Sequence, residues 1–311
     1  MSVRFGVLKV MASSQKLVLF AMNEKGCAVL RSLIDSVGAD SLAAVVAQQD
    51  LAVERDYFRD IVDLAASTGI RTLARGEPLP PHSFSVAVGW RFMIPTEPRL
   101  VVFHDSLLPR YRGFAPLVNA LINGEPAIGV TALWGAERYD AGPIIDQAAI
   151  AVSYPLAVRD ATTALIPLYQ QLANDIVQRL LAGEEVIGYE QDESKATYSI
   201  WRDEDDYLVD WTQDAGYIAR FIDAVGSPYR GACAHVGPRT VRILQAEAVS
   251  ADLTLEIRHP GKVFSISDGI PTIVCGEGLV RLLAVSDATT GEPLLPWTRL
   301  RARFSCIPSP R

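Results

Sequence analysis

Four short aliphatic runs, separated by longer segments, set the limits on what the first third of this chain can fold into. Lys16-Leu17-Val18-Leu19-Phe20-Ala21, Ala43-Ala44-Val45-Val46-Ala47, Phe84-Ser85-Val86-Ala87-Val88 and Leu100-Val101-Val102-Phe103 are apolar almost throughout, without strict alternation. A strand apolar on both faces must be covered on both faces, as in a parallel sheet flanked by helices. Between the runs, Cys27 to Leu33 and Tyr57 to Ala66 repeat apolar residues at helical spacing, the second closed by Gly69. Asn23 and Gly26 read as a turn before the first helix. The β-α-β-α-β order predicts an α/β fold with a doubly wound, mostly parallel sheet and right-handed crossovers.

Sheets of this kind bind ligands beyond the carboxyl ends of their strands. That rule directs attention to the loops after Val88 and Phe103. No GxGxxG follows the first strand and no GxxxxGK[ST] occurs, which disfavours a classical dinucleotide fold and a P-loop.

Further along, Pro116 to Gly124 reads as a helix with proline in its first turn. Val130 to Trp134 and Pro143 to Val152 read as strands, and Leu156 to Ala182 as a long helix ending at Gly183. Pro167 inside that helix predicts a kink or a break. Glu184 to Asp206 is polar and charged, and reads as a linker. The pattern then changes. One helix, Ala215 to Val225, precedes closely spaced short strands at Val241 to Ala246, Gly261 to Ile266, Pro271 to Cys275 and Gly278 to Ala284. That spacing predicts a smaller antiparallel β-barrel. A length of 311 residues suits two such domains.

The net charge of −7 and a pI near 5.2 disfavour nucleic acid, whose ligands carry basic faces. Cys27, Cys233, Cys275 and Cys306 form no CxxC pair, so reduced, mostly buried thiols are expected, with no metal site. No apolar stretch of about 18 residues is present, so no membrane span is expected. The N-terminus is not a convincing signal peptide, and a cytoplasmic location is expected. His82, His235 and His259 read as surface or core histidines, and Trp211 as barrel core.

The chemistry concentrates in Phe103-His104-Asp105-Ser106-Leu107-Leu108-Pro109-Arg110-Tyr111-Arg112-Gly113, followed by Gly129-Val130-Thr131 and Asp140-Ala141-Gly142-Pro143-Ile144-Ile145. A histidine at a strand end of an open sheet is either an acid/base or a hydrogen-bonded structural residue, and spacing alone leaves both open. Arg110, Tyr111 and Arg112 could bind phosphate or pair structurally. Trp90 and Trp134 could stack on a ring or pack in the core. Asp105 either faces solvent, caps a turn or acts on His104.

These blocks, in this order, resemble the signature of the 10-formyltetrahydrofolate-dependent formyltransferases. Gly89-Trp90-Arg91-Phe92-Met93-Ile94 resembles the segment beside that family's folate pocket. Val209-Asp210-Trp211, Ile222-Asp223-Ala224-Val225 and Pro228-Tyr229-Arg230-Gly231-Ala232 resemble the start of its C-terminal domain. The likeness runs from about Lys16 to Phe304. It implies an N-terminal extension over 1–15, a formyltransferase catalytic domain over 16–183, the linker 184–206, an OB-like barrel over 207–304 and a tail over 305–311. It implies His104 for proton transfer and stabilisation of the intermediate, with Asp140 orienting it. Gly89 to Ile94 and Asp140 would contact folate. Ser106, Leu107, Pro109, Arg112 and Gly113 would contact the amine substrate. The family's third catalytic residue is an asparagine two positions before the histidine, and here that position is Val102. Losing one oxyanion donor typically costs about 10²–10³ in rate. Arg91 and Arg112 are candidate replacements.

The resemblance therefore implies N-formyl transfer from 10-formyltetrahydrofolate to a small amine, with a nucleotide-linked amino sugar as the expected acceptor. Initiator tRNA is the alternative, disfavoured by the acidic pI. A homologue with impaired or altered catalysis is the third reading, carried by Val102. A homodimer is left open.

Overall fold

The computed structural model describes residues 15–94, 99–249 and 254–307. The expected extension therefore lies outside the described residues except for Gln15, and so does 308–311 of the tail. A seven-stranded sheet forms the first domain. Its strands are β1 (Leu17–Ala21), β2 (Leu42–Ala47), β3 (Thr72–Leu73), β4 (Phe84–Val88), β5 (Leu100–His104), β7 (Ala127–Trp134) and β8 (Ile144–Ala151), with β6 (Arg112–Gly113) lying outside that sheet. They are ordered β3-β2-β1-β4-β5-β7-β8. The first five are parallel, and β7 and β8 run antiparallel. All five residues of β1 and of β4 are buried, as continuous apolar runs require.

The strand order reverses between β1 and β4, and this opens the crevice. Its floor is tight: Met22 N–H donates to the Val88 carbonyl at 3.2 Å. Gly89 has φ +63°, and a Cβ there would lie 2.6 Å from the Met22 oxygen. Only glycine fits both demands.

Two expectations change here. Helix α1 spans Asn23–Val37, so Asn23 and Gly26 lie within the helix and not in a turn before it. Gly26 is in its first turn because a Cβ would press on Ala21 at 3.0 Å. The long helix α4 (Val158–Leu181) is unbroken at Pro167. Pro167 and Thr163 are both exposed, so the carbonyl that loses its proline partner faces water. Helices α2 (Phe58–Ser67) and α3 (Pro116–Ile122) fall close to their expected bounds.

The segment read as a linker proves to be bonded across the motif loop. Tyr189 exchanges backbone hydrogen bonds with Ile144 at 2.8 and 2.9 Å. Strand β9 (Tyr198–Ser199) pairs in parallel with β6. Some of its polar groups, Gln191, Glu193 and Thr197 among them, bond to the motif.

Beyond helix α5 (Ala215–Ala224), β10 (Ala232–Val236), β11 (Arg239–Val249), β12 (Val263–Ser267), β13 (Ile270–Val274) and β14 (Leu279–Asp287) form an all-antiparallel sheet of order β10-β11-β14-β13-β12. Asp268-Gly269, both at positive φ, turn the β12–β13 hairpin in the manner that suits its twist. Residues 302–305 bond to His235 on β10 and to Val263 on β12, so the two outer strands share one bridging segment. Trp211 and Trp297 pack on Phe304 in this core, with ring centroids 5.8 and 5.1 Å away. Strand β10 has no counterpart among the sequence-based expectations. Its five residues are short, and it follows directly on a loop. Cys27, Cys233 and Cys275 are buried free thiols and Cys306 is exposed. Burial pushes the Cys275 thiol up to about 12, so it stays protonated. No described helix is long and apolar enough to cross a membrane.

Candidate active site

Strand β5 runs one residue further than its apolar run and ends on His104, opposite Thr131 of β7. His104 is buried, and its Nε2 lies 2.8 Å from the Tyr111 carbonyl oxygen. A carbonyl only accepts, so Nε2 carries the proton. In the neutral ring Nδ1 then holds the lone pair. Nδ1 lies 3.5 Å from Asp140 Oδ1. A base that gains a proton there acquires a carboxylate counter-ion without moving.

Asp140 is locked. Its φ is +51°, a left-handed conformation that aspartate tolerates better than most residues. Its Oδ2 accepts from Gly113 N–H at 2.8 Å, and its carbonyl accepts from Gln191 Nε2 at 2.7 Å. Gln191 also donates to the Gly142 carbonyl at 2.8 Å. Gly142 explains its own place in the motif: a Cβ would fall 1.8 Å from the Trp134 oxygen. Gly129 is equally confined, by the Ala148 oxygen and Leu107 at 2.5 Å each. Thr131 is a fully buried hub whose hydroxyl donates to the Ser106 carbonyl and accepts from Leu108 N and Gln147 Nε2.

His104 and Asp140 line a cavity of about 230 Å³. Gly89, Trp90, Arg91, Phe92, Met93 and Ile94 all lie on it, together with Val102, His104, Gly113 and Asp140. Ser106, Leu107, Pro109 and Arg112 do not. Ser106 Oγ donates to the Arg110 carbonyl at 2.7 Å. Leu107 packs on Gly129. The Pro109 carbonyl accepts from Thr197 N–H at 3.2 Å. The Arg112 guanidinium is wholly buried on Gln191, Glu193 and Tyr198. All four make framework contacts, and Arg112 also lines a second, neighbouring depression. Arg110 behaves likewise, pairing with Glu125.

Val102 faces the cavity and packs with Leu108, Leu133 and Ile144. Both candidate replacement donors have partners, and Arg91 alone of the two lines this cavity. Arg112 is elsewhere, and Arg91 is ion-paired to the buried Asp50. Asp105 is neither in solvent nor a turn cap. It accepts from Lys25 Nζ and from the Tyr169 hydroxyl, and all three line the cavity. The sequence reading did not find Lys25, Tyr169, Gln191 or Thr197. The strand-end rule applied to β1 would have flagged Lys25, which sits in the first turn beyond it.

A second depression adjoins the first and shares Gly113, Phe114 and Tyr139 with it. Its rim carries exposed aromatics: Tyr139, Tyr198 and Trp201. Among the described residues no group of side chains is arranged to hold a metal ion.

With this geometry in place, comparison with known proteins is informative. Residues 85–188 match the family model described as formyl transferase, and residues 202–291 match its C-terminal domain. Together they cover more than half of the chain. The chain belongs to the formyl transferase family. Its class is that of one-carbon transfer enzymes. An N-formyltransferase from Helicobacter canadensis, solved with folinic acid and dTDP-3-aminofucose, is 15% identical with a TM-score of 0.65, covering 86% of this chain and 98% of that one. Methionyl-tRNA formyltransferase from Clostridium thermocellum is 17% identical with a TM-score of 0.54, covering 76% and 94%. A variant of HypX from Aquifex aeolicus is 18% identical with a TM-score of 0.58, covering 88% of this chain but 45% of its own. The chain therefore spans less than half the length of that protein. At such identities the likeness is one of fold, and this formyl transferase family member differs from its motif at Val102.

Proposed function

We propose that the protein transfers a formyl group from 10-formyltetrahydrofolate to the amine of a small, nucleotide-linked amino sugar. One observation carries the reading: His104 and Asp140 line the same cavity, with His104 Nδ1 3.5 Å from Asp140 Oδ1. The amine adds to the formyl carbon, and the carbonyl electrons move to oxygen. Nδ1 takes the amine proton, and Asp140 stabilises the imidazolium so formed. The carbon–nitrogen bond to the folate then breaks, the formamide is released, and the folate nitrogen leaves with a proton.

The apolar side of the cavity, built from Phe92, Met93, Ile94, Leu100, Val102 and Leu133, suits a flat pterin ring. The neighbouring aromatic rim suits a nucleobase, which stacks on such side chains. Arg138 is exposed beside that rim and is shared with Glu193. The net charge of −7 argues against a tRNA acceptor. Val102 favours a second reading, in which transfer is slowed or altered.

The test is calorimetric titration with 5-formyltetrahydrofolate, followed by formyl transfer to a panel of nucleotide amino sugars, with initiator tRNA run alongside. Folate binding with transfer to one of the sugars is expected. No folate binding at millimolar concentration would remove the reading, and transfer to tRNA alone would replace the acceptor.

A further inference from the structure

The family motif places an amide donor at the position of Val102, and a valine offers none. The cavity nevertheless contains a charged group that no motif assigns. Lys25, in the first turn of α1, lines the same cavity as Val102 and His104. Its ammonium is mostly buried, with a side-chain exposure of 15%. Asp105 Oδ2 accepts from it, and the Tyr169 hydroxyl donates to Asp105 Oδ1, which fixes the carboxylate from the far side. The Tyr169 ring lies 5.8 Å from Nζ. Burial alone would drive a lysine toward its neutral form, but the charge of Asp105 and its hydrogen bond outweigh that and hold Lys25 above the ordinary lysine range. Lysine has three donors, and Asp105 takes one. Two N–H groups of a fixed cation remain.

We propose that Lys25 is a further catalytic residue, whose ammonium stabilises the oxyanion of the tetrahedral intermediate in place of the amide that Val102 cannot supply. The inference rests on the formyl-transfer reading above. The step adds no new reactant. The acceptor forms its bond to the formyl carbon, the carbonyl electron pair moves onto oxygen, and Lys25 donates a hydrogen bond to that oxygen without giving up its proton. When the intermediate collapses the pair returns, and the carbon–nitrogen bond to folate breaks. The other cations are paired as well: Arg91, also on the cavity, with Asp50, and Arg112, away from it, with Gln191 and Glu193. Asp105 and Tyr169 are positioning residues for Lys25.

The test uses the full chain with 10-formyltetrahydrofolate and water as the acceptor, so no unidentified amine is needed. Hydrolysis to tetrahydrofolate and formate passes through the same oxyanion. Binding of 5-formyltetrahydrofolate is measured in parallel by calorimetry. Lys25→Gln should lower turnover by about 10²–10³-fold while folate binding holds, the usual worth of one oxyanion donor. Lys25→Arg should recover part of the rate. Removing one member of a buried ion pair can unfold a protein. For that reason Lys25→Gln/Asp105→Asn, which removes both charges together, is made as well and should show the same loss. The decisive comparison adds Val102→Asn. Its gain should be larger in the Lys25→Gln background than in the parent, because the two donors serve one oxygen. Equal gains in both backgrounds, or parental turnover by a folded Lys25 variant that binds folate, overturn the inference and leave the formyl-transfer reading standing. A parent that binds folate but hydrolyses none overturns it too. A parent that binds no folate overturns both.

Discussion

In one part of the cavity lining, a strained wall, His104 and Asp140 are held through hydrogen bonds with a contorted backbone; in another, an ionic wall, Asp105 holds Lys25 by an ion pair and Tyr169 by a hydrogen bond. The first wall uses Tyr111, Ala115 and Asp140 at positive φ, and Gly113 at +100°, where a Cβ would lie 2.5 Å from the Ser199 oxygen. Non-glycine residues in that region each store strain of about 1–3 kcal/mol, and the contacts of 189–199 oppose it. In the second wall Lys25 and Tyr169 sit on two regular helices, α1 and α4, and Asp105 follows directly on β5. The difference bears on tolerance to change. A side chain on a helix can be exchanged without moving the backbone, so the ionic wall can be retuned one residue at a time. The strained wall must be kept or lost as a unit. A valine at the position of a motif asparagine, opposite an ion pair absent from the motif, is the kind of retuning that this division allows.

The largest expected effect falls on the strained wall. His104→Ala should lower formyl transfer by about 10²–10⁴-fold, the usual contribution of a positioned general base. Asp140→Asn should fall in the same range, because it removes the counter-ion while keeping an oxygen for Gly113. Folate binding, followed by calorimetry, should survive His104→Ala. Transfer at the parental rate in either variant would move the chemistry to the ionic wall and break the contrast.

Val102→Asn comes next, with the opposite sign. It places a donor on the strained wall, and the ceiling of the gain is about 10²–10³-fold. Val102 packs with Leu108, Leu133 and Ile144, so an asparagine there must satisfy its amide in apolar surroundings. An unpaired group would cost about 1–3 kcal/mol. Stability and rate therefore have to be measured on the same preparation. A stable variant with no gain would mean that the ionic wall already supplies all the stabilisation the oxyanion can use.

The crossing segment gives a stability effect of similar origin. Gln191→Ala leaves the carbonyls of Asp140 and Gly142 without a donor and takes an acceptor from buried Arg112. A loss of about 1–3 kcal/mol in urea unfolding is expected. A smaller change, with transfer also intact, would show that the strap only covers a backbone which holds itself.

The strained wall was legible in the sequence because its residues are consecutive motifs. His104, Asp140 and the Gly89 to Ile94 segment all meet at the cavity where the strand-end rule directed attention. The ionic wall was not legible, because it joins Lys25, Asp105 and Tyr169 across 144 residues of chain. Each of the three looks ordinary alone. Asp105 reads as solvent-facing, turn-capping or acting on His104, because no local pattern names its partners. The crossing segment misled for a related reason. Glu190 to Lys195 is as polar as a free spacer, and nothing local shows that Gln191 and Glu193 are directed inward at Arg112. Arg112, in turn, is open between phosphate binding and structural pairing until Gln191 and Glu193 are seen beside it. In the second domain the helix and hairpin signals placed four of the five strands, and the bridging segment at 302–305 had no periodicity to announce it.

The smallest effect concerns a carboxylate outside both walls, and it sharpens the contrast by showing an acid with no cation beside it. Asp223, on α5, makes no hydrogen bond or ion pair among the described residues, whereas Asp105 has Lys25. Burial raises the Asp223 carboxyl from its ordinary 3.8 to about 6. A raised carboxyl binds its proton more tightly in the folded state. Its contribution to stability is therefore fully present below about pH 4 and is lost as pH rises through about 6. Above that window the folded protein bears the cost of a half-buried, unpaired charge. A shift of this size corresponds to roughly 3 kcal/mol at most, and partial exposure reduces it to about 1–2 kcal/mol. Asp223→Asn keeps the shape and cannot ionise. It should raise stability at pH 7.5 by that amount and change nothing at pH 4, as read from urea midpoints of variant and parent at both values. An equal gain at the two pH values would place the effect in packing or helix propensity. A loss at pH 7.5 would reveal a cation pairing with Asp223 in solution, and Asp223 would then resemble Asp105 more than it contrasts with it.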